Sequence, residues 1–227
     1  MRRSRITLAA ALAAALAAAP HAAAQGTSAP PSTDAAAMAR ARADSMRHPW
    51  TEADARFMTN MIGHHAQAIV MANLVPTHST SNAMKILAGR IINAQRDEIV
   101  TMQTWLRDRG RPVPQVDPAG ATTMSMAGHE GMAGHDHHAL MPGMLTPEQL
   151  QELERAQGTE FDKLFLRYMI QHHTGATQMV SELFSSYGAG QDETVFKFAS
   201  DVNVDQTTEI ARMQRMLVDL LFGEPSP

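Results

Sequence analysis

Two eleven-residue strings carry the side chains with the most chemistry in this chain: MIGHHAQAIVM at 61–71 and MIQHHTGATQM at 169–179, 108 positions apart. Each holds adjacent histidines flanked by methionines at identical offsets. On a helix, Met61, His64, Ala68 and Met71 follow spacings of three, four and three and share one face. His65 lies about 100° further round and is an i,i+4 neighbour of Met61. Met169, His172, His173, Ala176 and Met179 repeat the arrangement. Thioether sulfur and neutral imidazole together suit soft or borderline ions, copper above all. A thioether adds no negative charge, which favours a monovalent ion such as Cu(I) or Ag(I). The small Ala68 and Ala176 leave room beside the histidines.

A bland explanation competes with each of these residues. A lone Met at an apolar position is ordinarily core filling, and a lone His is ordinarily a polar group with its hydrogen bonds satisfied. Met102 and Met213 read first as core on that ground, with a ligand role as the alternative. The histidines differ, because two matched pairs are costly as packing alone when each ring needs buried partners. Glu98 and Glu209 fall on the inner face by spacing. They orient the imidazoles, ligate directly or stay solvated, and the sequence leaves these open.

A third cluster lies between the strings. Met124, Met126, His129, Met132, His135, His137, His138, Met141 and Met144 all occur within 21 residues. Glycines break any periodicity there, so the stretch reads as a loop. It is either an incidental low-complexity tract or a flexible copper-capturing segment that need not fold before binding.

The strings need helices to position them. Thr51 and Asp54 make a helix start, and apolar steps of three and four run from Phe57 to Ala72, ending before Pro76. A second helix is expected from about Asn82 to Arg109, closed by Gly110 and Pro112. Thr146-Pro147-Glu148-Gln149 restarts helix, which continues to about Tyr187. A last helix runs from about Asp192 to Phe222. The match between halves extends beyond the strings. Asp54-x-x-Phe57-x-x-x-Met61 corresponds to Asp162-x-x-Phe165-x-x-x-Met169, and Gln95-x-x-Glu98-Ile99-x-x-Met102 to Gln206-x-x-Glu209-Ile210-x-x-Met213. The repeating unit is therefore a helical hairpin. One amphipathic hairpin cannot bury its apolar face, but two can by packing into a four-helix bundle. The expected fold is all-α without sheet: hairpin 51–109, linker 110–145, hairpin 146–222 and a tail at 223–227.

Residues 1–24 have three arginines, a Leu/Ala run and a small-residue end at Ala22–Ala24, the layout of a secretory signal peptide. The general route is favoured over the twin-arginine one, because Ser-Arg follows Arg2-Arg3. Residues 25–50 read as a flexible leader. The protein is thus expected to be exported, periplasmic or extracellular, with no membrane span in the mature chain. Without 1–24, 16 basic residues face 23 acidic ones, a net charge of −7. That balance argues against nucleic acid and anionic membranes as partners and mildly favours cations. With no cysteine, thiolate metal sites, haem attachment and Cys nucleophiles drop out.

Asp54–Met71 with Gln95–Met102, and Asp162–Met179 with Gln206–Met213, resemble the exported bacterial proteins grouped as "domain of unknown function 305". The resemblance covers about residues 51–221. It implies a ferritin-like four-helix bundle, and some members of that family are copper-binding proteins linked to copper resistance. By position, the metal ligands it implies are Met61, His64, His65, Met71, Met169, His172, His173 and Met179.

The leading expectation is a non-catalytic, exported copper-binding protein that buffers, sequesters or delivers Cu(I)/Cu(II) in the cell envelope. A copper-exporting or copper-accepting envelope protein would be its partner. The main rival is a di-metal oxidase or ferroxidase on the same bundle. That chemistry uses Glu-x-x-His motifs and several inward carboxylates, and neither His-His string offers them. A metal-free helical interaction module leaves the paired strings unexplained.

Overall fold

Helix begins at the capping residue the sequence singles out. In the computed structural model, which describes residues 50–125 and 141–223 with isolated positions 36 and 38, α1 spans Glu52–His78 behind Thr51 as N-cap. The Thr51 hydroxyl accepts from the Asp54 amide at 3.3 Å and the Asp54 carboxylate accepts from the Thr51 amide at 2.7 Å, a reciprocal capping box. We expect Thr51→Ala to lower unfolding free energy by about 1 kcal/mol, measured by urea denaturation. An unchanged midpoint would mean that the box does not hold this end.

Helix α1 does not stop before Pro76, as the sequence suggests, but carries it in the last turn. Proline removes one amide donor there, and the Ser79 amide closes the end by donating to the Val75 carbonyl at 3.0 Å. Helix α2 spans Asn82–Asp108, with Ser81 as N-cap. The short connection makes α1 and α2 an antiparallel hairpin.

The linker, expected to be free of sheet, contains a short one. Val113–Val116 (β1) and Thr122–Ser125 (β2) form a two-stranded antiparallel sheet, with Val116 opposite Thr122. Strands of four residues are too short for periodicity to reveal. Val113 and Val116 pack against the helical core, and the Gln103 amide donates to the Pro114 carbonyl at 2.8 Å. The single helix expected from 147 to 187 is also two: α3 at Pro147–Arg155 and α4 at Gly158–Ser185. Ala156 and Gln157 are extended and Gly158 has φ 58°, so the chain turns there while Leu153 stays buried. The last helix, α5, spans Glu193–Phe222.

The fold is therefore mostly helical, and its four long helices form two hairpins, α1–α2 and α4–α5, with α1 packed on α4. Reciprocal ties join the hairpins. Asp54 of the first accepts from the Gly190 amide of the second at 2.7 Å. Its repeat equivalent Asp162 meets Ser79 of the first; burial raises the Asp162 carboxyl and the Ser79 hydrogen bond partly offsets it. Asp192 caps α5 and also accepts from Trp105 Nε1 at 3.1 Å and Arg109 Nη2 at 2.5 Å.

Two apolar clusters fill the interior. One joins Met58, Met61, Met102 and Trp105 to Met179, Leu183 and Phe198; the other joins Met71, Met84 and Ile91 to Phe161, Phe165, Met169 and Met213. The histidine pairs fall between them along α1 and α4. Among the described residues no helix is long and apolar enough to cross a membrane. The expected signal segment 1–24, the expected leader up to 49 apart from positions 36 and 38, and the expected tail from 224 lie outside the described residues.

Candidate metal centre

His64, His65, His172 and His173 are all buried at the crossing of α1 and α4. The His64 and His172 rings meet face to face there, with centroids 3.8 Å apart and planes tilted by 37°. His65 and His173 turn outward to the second helix of their own hairpins. His65 Nε2 lies 2.6 Å from Glu98 Oε2, and His173 Nε2 lies 2.7 Å from Glu209 Oε2. Glu98 and Glu209 are thus each within hydrogen-bond distance of an imidazole nitrogen of their own hairpin. His64 Nε2 has a different partner, the Pro142 carbonyl at 3.0 Å.

Carbonyl and carboxylate oxygens accept only, so each of these three Nε2 atoms carries the proton. The lone pair of the neutral ring is then on Nδ1. In His64, His65 and His173 that Nδ1 is buried without a hydrogen-bond partner. Both ring nitrogens of His172 lack a partner of good hydrogen-bond geometry, and the ring's polar contact with the His64 backbone is a weaker one. Burial, with the neighbouring His65 next in importance, lowers the His64 pKa to about 3, against the favourable Pro142 carbonyl. Burial also holds His172 well below the usual imidazole range, helped by His64 and His173. At neutral pH the central pair is therefore uncharged, the state in which imidazole can ligate.

Among the described residues, no three His, Asp or Glu side chains stand close enough together to hold a metal ion. The remaining soft donor type in this interior is thioether sulfur. Every helical methionine the sequence nominates is buried: Met61, Met71, Met102, Met169, Met179 and Met213. Their grouping differs from the simplest sequence reading. Met61 and Met71 are ten residues apart, about 15 Å along a helix, and belong to different clusters. Met61 joins Met102 and Met179, whereas Met71 joins Met169 and Met213. Of the nominated methionines each cluster holds one from each string and one from a second helix, alongside Met58 in the first and Met84 in the second.

Register explains the grouping. Met61 lies one turn before His65, and Met102 one turn after Glu98. Because α1 and α2 are antiparallel, the His65–Glu98 contact brings the two methionines level. The same offsets place Met169 level with Met213 beside His173–Glu209.

Of the linker residues, Met141 is half-buried against the first cluster and Met144 is half-buried. Met124 falls on β2, opposite Pro114. The Met124 side chain, together with Met126, His129, Met132, His135, His137 and His138, lies outside the described residues. Sequence reasoning missed the Pro142 carbonyl, since a backbone acceptor leaves no compositional mark. It also gave no role to Gln95 and Gln206, which are buried with Oε1 unpartnered. Their Gln-x-x-Glu repeat was the available signal.

The family model for the domain of unknown function DUF305 matches residues 54–217. The chain belongs to the DUF305 family. Solved DUF305 structures share its fold. A DUF305 fragment from Deinococcus radiodurans is 27% identical with a TM-score of 0.59, covering 74% of this chain and 97% of that one. CopM in its Cu(II)-bound form is 30% identical with a TM-score of 0.54, covering 73% of this chain and 96% of that one. CopM in its Cu(I)-bound form is 28% identical with a TM-score of 0.53, covering 77% and 99%. CopM is also known in an Ag-bound form. No curated protein matches the chain.

Proposed function

We propose that this DUF305 protein is an exported copper-binding protein, built on a ferritin-like four-helix bundle, that buffers, sequesters or delivers copper in the cell envelope. Cu(I) is its favoured ion and Ag(I) a competent substitute. The observation that carries this reading is a set of buried imidazole Nδ1 atoms left without partners while the opposite nitrogens are held by acceptors. A ligating histidine is normally held in this way, with the second nitrogen donating to a carboxylate or carbonyl that fixes ring and tautomer. The thioether groups supply the remaining donors. One position takes His65 with Met61, Met102 and Met179, and its equivalent takes His173 with Met169, Met213 and Met71. His64 and His172 form a nitrogen-only pair between them. Such sulfur-rich sets suit a soft ion, and the scarcity of inward carboxylates disfavours a ferroxidase. Relatedness to CopM, with its Cu(I)-, Cu(II)- and Ag-bound forms, supports the same assignment. Export rests on the signal-like layout of residues 1–24.

Anaerobic titration of the mature protein against a Cu(I) chelator tests the reading, with Cu(II), Zn(II) and Fe(II) run in parallel. Cu(I) should bind most tightly. Tighter retention of Fe(II) would favour the oxidase alternative.

The Met/His linker is tested separately. Met126, His129, Met132, His135, His137 and His138 can be changed to Ser without touching β2 or the residues that follow Leu140. We expect copper stoichiometry to fall while helical content and melting temperature stay as they were. Unchanged stoichiometry would make the linker side chains incidental and leave the bundle as the whole site. Removing 121–144 outright is a poorer experiment, because Pro142 and Gly143 are packed on the bundle.

A further inference from the structure

The two strings differ where the repeat should be strict. At matched positions, the first has Gly63 and Gln67 and the second has Gln171 and Gly175, so glycine and glutamine are exchanged. The segment Met141–Leu145 uses all four. The Gln67 side chain pairs with Leu145 through two hydrogen bonds, Nε2 to the carbonyl at 3.0 Å and the amide to Oε1 at 2.8 Å. Gln171 Nε2 donates to the Gly143 carbonyl at 3.3 Å. A Cβ on Gly175 would lie 1.9 Å from the Pro142 oxygen, and one on Gly143 (φ 76°) would lie 2.5 Å from the Gln171 carbonyl. The Met141 methyl reaches the open face of Gly63, where a Cβ would be 3.5 Å away. The glycines admit the strap and the glutamines fasten it. Its consequence is the His64 Nε2 to Pro142 contact at 3.0 Å, which no second-half element reproduces for His172 among the described residues.

We infer that residues 141–145 are an orienting clamp that locks His64 as its Nε2–H tautomer, with Nδ1 turned inward, and so makes the two halves unequal. His64 is a fixed donor and His172 an adaptable one. Pro142, Gly143, Gly175 and Gln67 are positioning residues, acting through His64 alone. The clamp is a statement about the metal-free protein; only its effect on metal affinity rests on the copper reading.

The test is the His64 ring state in full-length, metal-free protein, read from long-range nitrogen–proton NMR correlations. In the natural sequence, His64 should be a single Nε2–H tautomer. Gly175→Ala should drive the Pro142 carbonyl away and leave His64 as a tautomer mixture, with His65 and His173 unchanged. Alanine has the higher helix propensity, and Gly89→Ala, where no atom lies within 4 Å of the new Cβ, controls for that effect. Gln67→Ala should act in the same direction, which covers the case in which Gly175→Ala does not fold. In an Ag(I) titration, Gly175→Ala should weaken one binding step by roughly 10- to 100-fold and leave the others. A pure Nε2–H state persisting in both clamp variants, or an equal change in Gly89→Ala, overturns the clamp. The expected tautomer shift with no Ag(I) binding in any variant would uphold the clamp and sink the copper reading instead.

Discussion

Changing His64 and His65 together to alanine is expected to lower Cu(I) affinity by roughly 100-fold or more, the upper range seen when only an orienting partner is lost. Both rings leave the interior, so both Nδ1 donors of α1 disappear. Met61, Met102 and Met179 remain, but thioethers alone bind more weakly than thioether with imidazole. Helicity should persist, since both apolar clusters are untouched. Glu98 loses its partner without being stranded, because its side chain is 19% exposed and can be solvated. Anaerobic chelator competition with a circular dichroism melt gives both readings at once. Natural Cu(I) affinity with a lowered melting temperature would make the histidines packing and hydrogen-bonding residues only.

The second large effect is chemical selectivity. The triple variant Met61→Leu, Met102→Leu and Met179→Leu removes every thioether we assign to one cluster position. We expect it to lose about one bundle-bound Cu(I) or Ag(I) while Cu(II) binding changes far less, since Cu(II) prefers nitrogen and oxygen donors. Leucine nearly conserves volume, so each change should cost less than about 1.5 kcal/mol. The variant must therefore be compared with Met61→Leu, Met71→Leu, which touches both clusters. That pair should weaken two positions partially instead of emptying one. Parallel silver and Cu(II) titrations decide it. Equal losses for both ions would show that leucine disturbed the packing instead of removing a soft donor.

Much of this architecture was legible in the sequence because a helix repeats its signal every turn. The 3.6-residue period located all four long helices, and the duplicated Asp-x-x-Phe and Gln-x-x-Glu strings established the hairpin as the unit. Thr51 and Asp54 marked their own helix start. Short or backbone-borne features left weaker traces. The β1–β2 sheet is held by main-chain pairing over four residues a side. The α3–α4 break depends on Ala156 and Gln157 being extended, which their side chains do not announce. The same limit applies inside the site. Sequence spacing nominated Met61 and Met71 together because they share a face. Distance along the helix parts them; the antiparallel register brings Met102 level with Met61, and Met179 shares their apolar cluster. Glu98 was nominated for three roles, and the structure adds the 2.6 Å contact to His65 Nε2, which spacing alone does not give.

In the proposed function, sulfur and imidazole nitrogen from this helical body bind one soft ion together. X-ray absorption on Cu(I)-loaded protein, with the six Met and His residues of 126–140 already changed to Ser, tests it most directly. Copper should stay with the folded bundle, with a coordination shell of both sulfur and nitrogen scatterers, and the nitrogen component should be lost in the quadruple variant His64→Ala, His65→Ala, His172→Ala, His173→Ala. A shell of light scatterers alone, or no copper retained once the linker side chains are gone, would contradict it.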